Sequence, residues 1–291
     1  MGSFKLKFRG TRGSYPTPKP NFLEFGGNTS CVEINAGGNL IILDGGYGII
    51  DLGHELSKNS KQISALILLS HVHMDHIQGL PFFDPIYSSS KINIIGLTPK
   101  GENLKDILDK ALFDKVFPLG LEDVKSDIKI QNFSDDKVII LKKDEEPKFE
   151  LAKNLNNIKI EDEDVLISSY KYNSHPEAGS LSIKIQYKGK TLIYATDFES
   201  SNSEGSFIEF SKNADVMIHD AQYTVEDYKK GYGHSTFEAA IENSIKANAK
   251  ELFFFHYNPC YDDKKLKALE EKYKKLSPNY KFAKENLEIT L

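Results

Sequence analysis

An uninterrupted apolar run, Ala65–Leu69 (ALILL), leads within two residues into His71-Val-His73-Met-Asp75-His76. A strand that is apolar at every position is buried on both faces, so further layers must lie above and below it. Ten other short apolar runs read as strands: Phe4–Phe8, Cys31–Asn35, Leu40–Leu43, Ile92–Ile95, Val138–Leu141, Val165–Tyr172, Leu181–Tyr187, Thr191–Tyr194, Val216–Ile218 and Leu252–Phe255. Many are rich in Ile, Val, Phe and Tyr and are bounded by Gly, Asn, Asp or Pro. Helical spacing lies between them, in Gly48–Ser57 (Ile49, Leu52, Leu56) and Asn103–Phe113 (Leu104, Ile107, Leu108, Leu112). Thr236–Ala247 is preceded by Ser235, three residues before Glu238, which makes Ser235 the expected N-cap of a capping box. A last helix starts near Asp262 and stops before Pro278. Interspersed strands and helices predict an α/β fold with two sheets or one large mixed sheet. The chain reads as a single domain over residues 1–291, with a charged insertion around 114–164 on the edge of the core.

Charge restricts the partners. Net charge is −5, and Leu121–Asp164 alone carries 13 acidic and 8 basic side chains. A large nucleic-acid footprint wants the opposite sign. Of the 37 basic residues only Arg9 and Arg12 are arginines. No apolar run approaches the roughly 20 residues of a membrane helix. Cys31 and Cys260 are too few and too distant for a disulfide framework, so a cytoplasmic protein is expected, with Cys260 a free buried thiol.

The His-Asp cluster follows directly on the buried strand. In extended chain, residues i and i+2 point the same way, so His71 and His73 can share one metal ion. Asp75 and His76 follow where the chain turns and can aim at a second ion. Nitrogen and carboxylate donors without cysteine favour Zn²⁺, with Mn²⁺ or Fe²⁺ as substitutes. His234 sits just before a predicted helix, whose N-terminus favours an anionic group such as phosphate. A histidine there can donate a proton to a leaving oxygen, and Asp220, at a strand end, is the partner that would orient it. The Gly-rich stretch around Arg12 can approach a phosphate, which Arg12 would contact. His54, off the apolar face of its helix, is expected in solvent, and His219 has no clear role.

His71-x-His73-x-Asp75-His76 closely resembles the HxHxDH signature of the metallo-β-lactamase superfamily, and Asp44-Gly45-Gly46 is similar to the Asp turn that precedes it there. The resemblance implies an αββα sandwich of two mixed sheets flanked by helices, with a two-metal site where strand ends meet. It also implies further ligands, which His175, Asp197 and His256 would provide. His71, His73 and His175 would hold one ion, Asp75, His76 and His256 the other, and Asp197 would bridge. His234-Ser235-Thr236 is similar to the HST motif of the ribonuclease Z branch, and His219-Asp220-Ala221 looks like that branch's His-Glu-Ala-Thr motif with Asp in place of Glu.

This implies a two-metal phosphodiesterase in which hydroxide held between the ions attacks phosphorus. His234 would act as general acid, Asp220 as its partner, and Asp75 would orient the nucleophile. Arg12, Ser235 and Thr236 would contact the substrate. Ribonuclease Z enzymes usually carry a long Gly/Pro-rich arm between the positions of His175 and Asp197, where this chain has a turn and two strands. A small phosphodiester, with cyclic nucleotides first, is therefore the expected substrate. The alternatives are tRNA 3′ processing, ester or lactone hydrolysis on the same fold, and a metal-loaded binding module. Relatives of this plan are often homodimers, and no membrane partner is expected.

Overall fold

The computed structural model describes residues 3–60, 62–173, 175, 179–200 and 204–291. The first sheet contains β1 (Phe4–Gly10), β2 (Cys31–Ala36), β3 (Asn39–Leu43), β4 (Ser64–Leu69), β5 (Lys91–Gly96), β6 (Asp127–Asn132) and β15 (Glu288–Thr290), in the order β15-β1-β2-β3-β4-β5-β6. The second contains β7 (Lys137–Leu141), β8 (Lys148–Leu151), β9 (Val165–Tyr172), β10 (Ser180–Tyr187), β11 (Lys190–Ala195), β12 (Val216–Asp220), β13 (Glu251–Phe255) and β14 (Tyr280–Phe282). Its order is β14-β13-β12-β11-β10-β9-β7-β8. Both sheets are mixed: β3 to β6 run parallel, as do β11 to β14, and the remaining pairs are antiparallel.

Side-chain alternation along the strands explains the layering. Leu66 and Leu68 of β4 face inward with Leu6, Phe8, Ile183, Ile218 and Phe255 in the cluster between the sheets. Ala65, Ile67 and Leu69 face outward into a second cluster. There they meet Leu52 of α1 (Ile49–Asn59) and Leu104 and Leu108 of α3 (Leu104–Leu112). The short α2 (Met74–Ile77) adds Ile77 to the same layer. On the far side Met217, Leu252 and Phe254 pack with Phe207 of α4 (Glu204–Ser211) and Phe237 of α5 (Phe237–Lys246). Leu266, Leu269 and Tyr273 of α6 (Asp263–Lys274) complete that cluster. The order of layers is helix, sheet, sheet, helix.

The stretch expected as a peripheral insertion takes part in both sheets. β6 extends the first sheet beyond β5, and β7 enters the second beside β9. Phe133, Ile139 and Leu141 reach the central core. β7 is apolar and buried at four successive positions, whereas β6 and β8 are the edge strands of their sheets, so the stretch adds one core strand and leaves the rest at the periphery.

Parallel strands carry their C-terminal ends to the same edge. Asp44 follows β3, Ser70 and His71 follow β4, Asp197 follows β11, Asp220 ends β12 and His256 follows β13. The carboxyl ends of parallel strands are where open α/β sheets bind ligands. A hydrogen bond from Leu181 N to Ser70 O (3.0 Å) ties the two sheets together at this edge. The N-terminal loop closes over it, with Tyr257 N donating to Thr11 O and Gly13 N to Tyr257 O, both at 3.0 Å.

Candidate metal centre

Three of the strand-end residues take left-handed backbone: Asp44 (φ 60°), Asp197 (φ 50°) and His256 (φ 61°). Such angles cost non-glycine residues about 1–3 kcal/mol each and persist where surrounding structure enforces them. Here they turn each side chain off its strand and into one cluster. His73 caps α2 in extended conformation, and the helix turn then presents Asp75 and His76.

The ligand atoms converge in two groups about one carboxylate. His71, His73 and His175 form one set whose nitrogens lie within 4.8 Å of one another, and Asp75, His76 and His256 form another. His175 Nε2 is 2.9 Å from His73 Nδ1. Asp197 stands between the sets: Oδ1 lies 3.7 Å from His71 Nε2 and 3.6 Å from His175 Nε2, while Oδ2 lies 3.1 Å from His76 Nε2 and 3.3 Å from His256 Nε2. All seven residues that the sequence nominated as ligands are therefore brought together. The residues at 174 and 176–178, in the turn around His175, lie outside the described residues.

A second ring of contacts fixes the imidazoles. Asp44 Oδ2 faces His76 Nδ1 at 2.8 Å and accepts from Tyr194 OH at 2.7 Å, while Oδ1 accepts from Ser70 N at 2.7 Å. Ser70 Oγ is 3.0 Å from His71 Nδ1, and the Gly233 carbonyl is 3.3 Å from His175 Nδ1. Ser14 N donates to Asp75 Oδ2 at 2.7 Å. Partners of this kind choose which ring nitrogen is free for a metal. Gly13 is required by proximity: a Cβ there would come within 2.5 Å of the His256 ring.

The donor set fits divalent cations. Asp44, Asp75, Asp197 and Asp220 are all buried, and among the described residues none pairs with a lysine or arginine. Buried carboxylates need compensating positive charge. His71 Nε2 and His76 Nε2 are buried with no hydrogen-bond partner, both aimed at Asp197. Burial pushes His71 down, with His76 adding to the effect, and lowers His175 to about 4, so both are neutral, as metal ligands must be. Burial opposes charge on His76, yet Asp197, Asp75 and Asp44 outweigh it and push its pKa up. The pocket thus favours positive charge where the second set converges.

His234 lies beside this cluster, 8% exposed and stacked on His256 with ring centroids 5.1 Å apart. Its Nδ1 is 2.8 Å from Asp220 Oδ2. Burial alone would lower its pKa, but Asp220, by charge and hydrogen bond, with help from Asp197 and Asp75, lifts it to about 9. Asp220 Oδ1 in turn accepts from Gln222 N and Ser235 N.

Several sequence expectations differ from what the fold does. The N-cap of α5 is Thr236, whose side chain accepts from Ala239 N; Ser235 instead donates its hydroxyl to the Phe198 carbonyl. Ser235 thus spends its proton inside the protein, while Thr236, half-buried, accepts one bond and keeps its own O–H to donate. Arg12 is fully buried, with Nε donating to Gly26 O (2.6 Å) and Nη1 to Tyr261 O (2.5 Å), and its guanidinium lies over the Phe22 ring. It ties the N-terminal loop to the 257–261 segment and does not line the centre. Cys260 is exposed, and Cys31 is the buried thiol. His54 is exposed, as expected. His219 is a core residue, with Nδ1 2.8 Å from Asp220 O and Nε2 3.0 Å from Asn243 Nδ2. Sequence reasoning gave no role to Ser70, Tyr194 or Glu199. No local pattern marks Glu199, because the groups it binds lie about 30 residues further along the chain.

A family model described as a beta-lactamase superfamily domain matches residues 41–257, well over half of the chain and nearly all of the cluster's elements. The chain belongs to the β-lactamase superfamily. It is a hydrolase of the metallo-β-lactamase fold, close to the ribonuclease Z branch. A ribonuclease Z of Picrophilus torridus is 25% identical, the match covering 93% of this chain and 91% of the relative. One from Prochlorococcus marinus (strain MIT 9515) is 27% identical, over 97% and 98%. The crystal structure of the metallo-β-lactamase fold protein YhfI from Bacillus subtilis superposes with a TM-score of 0.65 over all of both chains, at 18% identity. No helix among the described residues is long and apolar enough to cross a membrane.

Proposed function

We propose that this chain is a two-metal phosphodiesterase of the ribonuclease Z type, acting on RNA. The observation that carries phosphodiester chemistry is the Asp220–His234 pair at the edge of the His/Asp cluster. With Nδ1 on Asp220, Nε2 is the nitrogen that hands a proton to the leaving ribose oxygen as its bond to phosphorus breaks. Asp220 is held by two backbone N–H groups and so fixes the ring. Two divalent ions, zinc first among those that accept nitrogen and carboxylate donors, would supply a nucleophile at neutral pH and neutralise the phosphoryl oxygens. His71, His73 and His175 would hold one, Asp75, His76 and His256 the other, and Asp197 would serve both. Asp75 also orients the attacking oxygen. Relatives named ribonuclease Z, aligned over nearly their whole length, favour RNA over the cyclic nucleotide that the sequence alone put first.

A small phosphodiester remains the second reading, favoured by one observation. The interval between His175 and Asp197 holds the β10–β11 hairpin, closed by Tyr187↔Lys190 pairing, so an RNA-gripping arm has no place there. Incubation of the metal-replete protein with 3′-extended precursor tRNA beside 2′,3′- and 3′,5′-cyclic nucleotides decides between them. Cleavage of the precursor at its 3′ side supports the first reading. Turnover confined to the cyclic nucleotides supports the second. Hydrolysis of carboxylic esters alone would overturn both.

A further inference from the structure

Exposed aromatic side chains are unevenly placed. Among the described residues five are exposed: Tyr15, Tyr47, Phe82, Tyr228 and Tyr232. Each lies on a segment that builds the metal centre. Tyr15 follows Ser14, whose N–H binds Asp75. Tyr47 lies three residues after Asp44, and Phe82 six after His76. Tyr228 and Tyr232 belong to the loop that ends in Gly233 and His234. Aromatic rings left in water cost free energy, and their recurrence on the segments that carry the centre singles those segments out for a binding role.

The loop bearing Tyr232 is also held unusually firmly. Glu199, only 4% exposed, accepts from Tyr228 OH (2.6 Å), Gly231 N (2.7 Å) and Gly233 N (2.8 Å). Gly233 takes φ +83°, and a Cβ there would fall 2.0 Å from His175 Nδ1. The next residue back, Tyr232, therefore emerges within one residue of a backbone that touches a metal ligand. It is 60% exposed, and Lys229 Nζ lies 5.6 Å from its ring centroid. An exposed ring on a clamped backbone, with an adjacent cation, is the pairing that proteins use to stack bases of single-stranded nucleic acid and neutralise their phosphates.

We propose that Tyr228–Gly233 is a nucleobase-binding platform, on which Tyr232 stacks the base adjoining the scissile phosphodiester and Lys229 meets a neighbouring phosphate. The proposal rests on the phosphodiesterase reading and adds to it that the substrate is a nucleoside phosphodiester recognised by its base. Thymidine 5′-(p-nitrophenyl phosphate) and methyl p-nitrophenyl phosphate test it, since they share charge and leaving group and differ in the nucleoside. Wild type should favour the thymidine ester in kcat/KM. Tyr232→Ala should shrink that preference about 5- to 100-fold, the worth of one stacked base. Tyr232→Phe should keep it, and metal content and melting temperature report whether either variant is misfolded.

A preference unchanged in Tyr232→Ala overturns the platform. So does a wild type that cleaves the methyl ester equally well, although the phosphodiesterase reading would then stand. Cleavage of neither ester by metal-replete wild type overturns both. The same variants on a 3′-extended RNA identify the source of the base. An equal loss there supports the platform as serving an RNA end, and a loss confined to the thymidine ester supports it as serving a free nucleotide.

Discussion

Asp220 holds His234 Nδ1 at 2.8 Å, which leaves Nε2 as the ring nitrogen able to serve a substrate. If that nitrogen protonates the leaving oxygen, the loss in His234→Ala depends on the leaving group. Cleavage of RNA, with its poor alkoxide leaving group, should fall about 10²–10⁴-fold in kcat. Bis(p-nitrophenyl) phosphate should lose far less, because p-nitrophenolate departs without a proton. Equal losses on both, or a loss of bound metal, would make His234 a ligand and not an acid. Glu285 offers a separate test at the other side of the N-terminal loop. Burial raises its carboxyl to about 7, despite the hydrogen bond that it accepts from Asn28 N at 2.6 Å. A carboxyl raised on folding binds more protons folded than unfolded, so its contribution is full below the unfolded value and is lost as pH rises through about 7. Glu285→Gln should therefore gain stability over wild type between pH 5 and pH 8, by at most about 3 kcal/mol. Thermal melts at both pH values measure it, and a difference that does not change with pH would sink the idea. Arg12 shows the limit of reading single residues. Its place in a Gly-rich loop suggested phosphate, but three-dimensional contact with the carbonyls of Gly26 and Tyr261 makes it a tie. Nothing local in the sequence announces which carbonyls will surround a guanidinium.

At the scale of elements, the strands that pack on two layers were legible and the marginal ones were not. All eleven apolar runs became strands, because each alternates into or fills a buried face. β6 (DIKIQN) was missed since it is an edge strand with Lys129 and Gln131 on its partly solvated faces. β14 and β15, three residues each, are too short to show a period. The metal ligands on HVHMDH were legible because local geometry fixes four of them. His175, Asp197 and His256 needed the resemblance, since their convergence depends on strand order in the second sheet. The Glu199 clamp was invisible for the same reason: its donors are about 30 residues away. It is also an element whose removal can be followed. Glu199→Gln replaces one acceptor oxygen by an N–H₂ that faces backbone donors. Charged hydrogen bonds are worth about 1.5–3 kcal/mol each, so the loop should open locally. Amide exchange at Gly231 and Gly233 should accelerate at least tenfold, with kcat reduced and the global melting temperature little changed. Retained protection at those two amides would show that the loop is held by something else.

For the whole molecule, the proposed RNA reading raises the question of how a chain of net charge −5 would meet a polyanion. Two sheets meet at one edge, where the buried carboxylates call for metal ions, and the proposed phosphodiester chemistry would be confined to it. Many of the lysines are partnered with carboxylates, as Lys91 and Lys129 are with Glu146 and Lys190 and Lys250 with Asp215. An RNA substrate would therefore be gripped near its cut end and not along its length, without the arm that the β10–β11 hairpin excludes. Counterion release makes this measurable. Each backbone phosphate neutralised on a single strand contributes about 0.7 to the slope of log binding constant against log salt. A ribonuclease that grips several nucleotides through Lys229, Lys230 and their neighbours should show a slope of about −2 to −3 for precursor tRNA. A mononucleotide, with its one phosphodiester at the metal centre, should stay shallower than about −1. Binding of both substrates to a cleavage-deficient, metal-loaded His234→Ala variant at a series of potassium chloride concentrations gives the two slopes. A steep slope confined to tRNA supports the RNA reading. A slope for tRNA as shallow as that of the mononucleotide means that only one phosphate is recognised, and the small phosphodiester becomes the substrate to pursue.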